Sequence, residues 1–177
     1  MKIKKFIIAV ALIVTVGVST ACTINQINIV DAKTNIAVFP KKMRGKWYSY
    51  SNYSNKVNKQ IITKKRFKAN ESGDKYTRYL HVNPTGYSYD YNKRNNNKKI
   101  NWVFFSNRAK AHGRSWLALR GWYQTAGAAS YFNVSKLNGH QVLTIAGGAG
   151  IWGSEHYYRS QKLAKQLKNQ RYSGFKY

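Results

Sequence analysis

From residue 40 onward, apolar and polar side chains alternate in short runs broken by polar turns, the two-residue period of strands with one buried face. Strands are predicted at Lys46–Ser51, Gln60–Phe67, Tyr76–Val82, Asn101–Ser106, Ser115–Tyr123, Ser130–Leu137, Gln141–Ala146 and Ile151–Tyr158. A further strand is predicted where Tyr87, Tyr89 and Tyr91 alternate with Ser88 and Asp90, and residues 92–99, NKRNNNKK, read as a polar hairpin-like loop. Asn138-Gly139 separates two runs by two residues, the strongest short-range hairpin signal. Only Gln161–Asn169 reads as helix, with Leu163 and Leu167 four apart among lysines. The expected fold is all-β: a single antiparallel barrel or sandwich with a short C-terminal helix.

The N-terminus follows a different pattern. Met1–Lys5 is a short basic segment and Phe6–Val18 an uncharged apolar run, too short for a stable span of about 20 residues. That order is an export signal. Two cleavage positions fit. Ser19-Thr20-Ala21 places small residues before Cys22, the candidate lipidation site, although Ser19 stands where a lipoprotein signal usually has a leucine-like residue. Val30-Asp31-Ala32 before Lys33 is the other, and cutting there discards the cysteine. Residues 1–32 are therefore read as signal peptide and leader remnant, 33–38 as a tether, and 39–177 as the domain. A chain with one cysteine forms no internal disulfide, so the domain is held by packing.

Charge narrows the partners. The chain carries 31 Lys+Arg against 5 Asp+Glu. From Lys33 on the charge is +24, with 28 basic and 4 acidic side chains, against the roughly 2–8 that solubility needs. Basic residues cluster at Lys64, Lys65, Arg66 and Lys68, at Lys93, Arg94, Lys98 and Lys99 around the asparagine-rich loop, and at Arg108, Lys110 and Arg114. Such clusters attract polyanions, and interleaved Tyr and Trp rings add stacking surfaces. Most tryptophans are expected in the core and some tyrosines outside it.

No catalytic, metal-binding or cofactor-binding constellation emerges. Of the domain's acids, Glu71 and Asp74 flank Gly73 in a turn and read as solvated, Asp90 sits between tyrosines, and Glu155 precedes His156. Neighbours on a strand point to opposite faces, so Glu155 and His156 do not converge on one ion. His81, His112, His140 and His156 show no ligand spacing. Ser115 lacks the nucleophile-elbow glycines, and Ser154, two before His156, has no evident acid orienter. Ala146–Gly150 is glycine-rich without a P-loop ending and reads as a turn.

Gly45-Lys46-Trp47 resembles the Gly-x-Trp opening of lipocalin-type barrels. More broadly, Phe39–Tyr50 (FPKKMRGKWYSY), Arg120–Gly127 (RGWYQTAG), Tyr131–Val134 (YFNV), Gly147–Trp152 (GGAGIW), His156-Tyr157-Tyr158 and Lys162–Lys165 resemble small exported proteins of Gram-positive lactic-acid bacteria. That resemblance implies placement outside the cell or on its surface and assigns no functional residues. The expected role is a non-enzymatic exported binding protein for anionic envelope polymers or an anionic lipid surface, with an acyl anchor if Cys22 is retained and nucleic acid only an incidental partner. Its rivals are a wall-acting hydrolase and a carrier of a small apolar ligand.

Overall fold

The computed structural model describes residues 28–30, 35–83, 99–124, 126–168 and 170–177. The export signal, Cys22 and the strand and loop expected over residues 87–98 lie outside the described residues.

Among the described residues ten strands form one sheet: β1 (Asn28–Val30), β2 (Gly45–Ser51), β3 (Lys56–Ile62), β4 (Arg66–Glu71), β5 (Asp74–His81), β6 (Trp102–Ala111), β7 (Arg114–Gly121), β8 (Ser130–Leu137), β9 (His140–Gly147) and β10 (Trp152–Tyr157). A 3-10 turn, η1 (Lys41–Met43), precedes β2, and a helix, α1 (Gln161–Leu167), follows β10. Strands β2 to β10 are neighbours in chain order, and β1 pairs with β6. Residues 23–38, read as remnant and tether, thus contribute a strand: the β-branched pair Ile29-Val30 extends readily, and β6 is long enough to take β5 at Trp102–Phe104 and β1 at Arg108–Lys110.

Two strand expectations change. The segment Gln60–Phe67 is not one strand but the end of β3, a turn and the start of β4. Thr63 N–H donates to Arg66 O and the Arg66 N–H to the Thr63 hydroxyl, which closes the chain on itself. The sheet is also mixed rather than antiparallel, because β5 and β6 run parallel. Parallel neighbours need a crossover of a dozen or more residues, and Val82 to Asn101 provides one. The Asn138-Gly139 turn has both residues at positive φ (+45° and +82°), as a tight two-residue hairpin requires.

Inward positions repeat every second residue: Asn58, Gln60 and Ile62 on β3, Phe67, Ala69 and Glu71 on β4. Of these, Ile62, Phe67 and Ala69 join Trp47, Phe105, Leu119, Phe132 and Leu143 in the inner core. A second core lies on the opposite face, where Trp116, Val142, Ile151 and Tyr158 are covered by Ala164 of α1 and by Tyr172 and Phe175 of the tail. Residues on both faces of β7 and β9 are therefore buried, which is why those strands read as near-continuous apolar runs.

The sheet curves until its edge strands meet at one bridge, without a continuous ladder. Tyr48 and Tyr158 exchange two backbone hydrogen bonds of 2.7 and 2.8 Å. Arg159 fastens this junction. Its guanidinium lies 3.5 Å from the centre of the fully buried Trp47 ring and donates to the Arg44 and Lys42 carbonyls and to Gln141 Oε1. Gly45 has φ +117°, and a Cβ there would come within 2.5 Å of Arg159 Nη1, so the glycine meets both a backbone and a space requirement.

Candidate functional site

Register on the outer face of β2–β5 arranges the basic residues in rows. Lys46, Ile61, Lys68 and Thr77 are successive cross-strand partners, and Lys59, Asn70 and Lys75 form the next row. Lys59, Lys68 and Lys75 line a shallow groove of about 400 Å³ together with Ile61, Asn70 and Thr77. Arg66 pairs across to Tyr79, which pairs across to Trp102, so the basic rows run into an aromatic patch. There His81 stacks on Trp102 at 3.6 Å and 16°, Trp122 meets Trp102 edge-on at 5.1 Å, and the Lys99 ammonium lies 5.2 and 5.3 Å from the two indole centres. Burial, with Lys65 and Lys99 nearby, lowers the His81 pKa and favours its neutral, stacking form.

The cations singled out by sequence divide accordingly. Arg66 and Lys68 share this exposed face, Lys64 and Lys65 are exposed in the turn that precedes Arg66, and Lys99 borders the aromatic patch. Lys46, Lys59 and Lys75, which belong to the same rows, were missed because they are isolated in sequence; strand alternation was the signal that relates them. Arg108 and Lys110 are exposed further along β6, past a bulge between Phe105 and Asn107. Arg114 is committed to the tail: its guanidinium stacks on Phe175 at 3.9 Å and donates to the Gly174 and Ser173 carbonyls and the Ser135 hydroxyl. Lys93, Arg94 and Lys98 lie outside the described residues. Of five tryptophans, only Trp47 and Trp116 are core, while Trp152 is exposed; a Cβ on Gly148 (φ +72°) would run into its indole, which gives the glycine-rich run a packing role.

The carboxylates lie elsewhere. Glu71 is not a solvated turn residue like its neighbour Asp74. It occupies the inward register of β4 and accepts from Gln60 Nε2 (2.8 Å) and from the Tyr76 and Tyr157 hydroxyls (2.9 and 3.2 Å). Glu155, on β10, accepts from the Tyr157 hydroxyl (2.9 Å), the Ser49 hydroxyl (2.7 Å) and Asn58 Nδ2 (3.5 Å). Two acids distant in sequence thus meet across one phenol. Burial and both carboxylates hold the Tyr157 pKa well above the ordinary phenol value, and burial with Glu71 does the same for Tyr76, so both remain donors.

His156 points the other way, as adjacent strand positions require. It is buried among Tyr172, Phe175 and Tyr177, with Nδ1 2.9 Å from Thr144 Oγ1 and Nε2 2.7 Å from the Tyr177 hydroxyl. Neither Glu155 nor Ser154 joins it. Burial, with the Arg114 charge, lowers its pKa to about 4. The unfolded chain therefore binds the extra proton between about pH 6.5 and pH 4, and the folded state loses stability as pH falls through that window. The expected slope approaches ~1.4 kcal/mol per pH unit. Urea unfolding at pH 7 and pH 5 should show a smaller difference in His156→Gln than in the parent; an unchanged difference would exclude His156 as the source.

Comparison with family models, with curated proteins and with solved structures finds no match for this chain. No helix among the described residues is long and apolar enough to cross a membrane.

Proposed function

We propose that this chain is an exported, non-enzymatic binding protein that associates with an anionic envelope polymer through the outer face of β2–β5. The observation that carries the reading is the segregation of charge. Lys46, Lys59, Arg66, Lys68 and Lys75 share one strand face, whereas Glu71 and Glu155 turn inward, so neither carboxylate neutralises the rows. Cations within a row stand two strands, about 9.6 Å, apart, and Arg66 and Lys68 stand about 6.8 Å apart along β4, so the face presents an array of cations to a polymer's repeating phosphates or carboxylates. The field of the whole protein draws the polymer in, and Tyr79 and the tryptophan patch supply short-range contact.

Polyphosphate is the direct probe. Binding measured by calorimetry should be readily detected in dilute buffer and weaken steeply between 50 and 300 mM salt (probe conditions chosen around a Debye length of about 10 Å at 0.1 M). Absence of binding in dilute buffer would refute the proposal. The resemblance to exported proteins of lactic-acid bacteria supports placement outside the cell. A lipid anchor at Cys22 would add a second attachment that resists salt, and it is separable as Cys22→Ala in the native host.

A further inference from the structure

Between the inner face of the sheet and solvent lies a cavity of about 470 Å³, within the size range of small-molecule sites. Its walls differ in chemistry. One side is apolar and aromatic: Phe67 and Phe132, in edge contact at 6.0 Å, with Val103, Leu119 and Ile145. The other holds Glu71, Glu155, Gln60, Tyr76 and Tyr157. Glu155 is exposed at the mouth, and Gln60 is 1 % exposed.

The polar wall is short of donors. Among the described residues every hydrogen bond to the two carboxylates comes from a neutral group: the hydroxyls of Ser49, Tyr76 and Tyr157 and the amides of Asn58 and Gln60. Tyr157 stands within reach of both acids but has one proton, so it serves one carboxylate at a time. Gln60 gives its amide N–H to Glu71, while its Oε1 is buried away from solvent and without a partner, so the cavity meets this wall through the two carboxylates and the phenols. Two carboxylates sharing a phenol favour a positive charge between them. Arg78 and Arg120 also line the cavity, and neither supplies it: the Arg78 guanidinium donates to Asn101 Oδ1 and lies over the Tyr76 ring at 5.3 Å, and Arg120 donates to neither carboxylate.

We propose that this cavity is a second binding site, for a small organic ligand that presents a protonated amine to Glu71 and Glu155 and lays an apolar body along the Phe67–Phe132 wall. An ammonium group has three donors and no acceptor, the complement of what the polar wall lacks. The size of the cavity and its apolar side match an organic cation better than a bare metal ion, which would leave most of the volume unfilled. The site is separate from the outer basic face and does not depend on the role proposed for that face.

The test compares n-octylamine, n-octanol and octanoate on the intact protein by calorimetry. Octylamine should bind about tenfold or more tighter than octanol, and octanoate more weakly than either. Glu71→Gln and Glu155→Gln, close in size to the parent residues, should each remove most of the octylamine preference while leaving octanol and polyphosphate binding unchanged. Equal affinity for octylamine and octanol overturns the proposal, because the cavity then reads only the apolar body. So does calcium ion alone if it binds and displaces octylamine, since the carboxylates then serve a metal. Should either variant fail to fold, the comparison of the three probes on the parent protein still decides.

Discussion

Replacing Trp47 with alanine should lower the unfolding free energy by about 3–5 kcal/mol, the cost of emptying a buried aromatic site. The indole is fully buried, donates to the Met43 carbonyl at 2.7 Å and carries the Arg159 guanidinium on its face. Its position adds to this. The edges of the sheet meet at the Tyr48–Tyr158 bridge, and the Trp47–Arg159 stack sits beside it, tying β2, η1 and the segment after β10 together. Arg159→Lys separates the contributions. It keeps the charge but loses the planar face and the simultaneous donation to Arg44, Lys42 and Gln141, and it should cost about 1–3 kcal/mol. Urea denaturation followed by tryptophan fluorescence and by far-ultraviolet circular dichroism measures both. An Arg159→Lys midpoint equal to the parent's would show that the stack does not hold the edges.

Neutralising the outer face should change binding without changing the fold. The quadruple variant Lys59→Gln, Arg66→Gln, Lys68→Gln, Lys75→Gln is expected to lose about tenfold or more in polyphosphate affinity in dilute buffer. Its dependence on salt should be shallower, since each cation that neutralises a phosphate contributes about one unit to the logarithmic slope. Arg66, Lys68 and Lys75 are exposed and Lys59 half-buried, so stability should move by roughly 0.5 kcal/mol or less per site. The control is Arg108→Gln, Lys110→Gln, which lies outside the rows. Two removed cations there lower the net charge, and if binding depends on total charge alone the loss will scale simply with the number removed. If it depends on the rows, the loss per residue will be larger for the quadruple variant. Equal losses per residue would replace a defined face with a diffuse electrostatic attraction.

Much of the strand pattern was legible because alternation is a local property. Ser130–Leu137 coincides with β8, and the ends of β2, β7, β9 and β10 fall within one or two residues of those expected. The joined segment Gln60–Phe67 failed because Thr63-Lys64-Lys65 carries no glycine or proline, and its turn is made by side-chain and backbone bonds of Thr63 instead. The second half of β6 was missed because Arg108 and Lys110 alternate with small alanines, whose burial depends on the tail and on Trp116 rather than on their own hydrophobicity. Glu71 was misread for a related reason. Next to a Ser-Gly turn it resembles a solvated acid, yet the parity set by Phe67 and Ala69 turns it inward.

By itself the sequence determined the β-rich character, the hairpin at Asn138-Gly139, the short terminal helix and the sign of the charge, since each depends on residues close in the chain or on composition. Tertiary structure alone decided the parallel pairing of β5 with β6, the meeting of the sheet's edges, and the convergence of Glu71 with Glu155 on Tyr157, a hydroxyl 86 residues from the first of them. The physical reason is that strand alternation states which side a residue faces, whereas curvature and strand order determine which other residues it meets there.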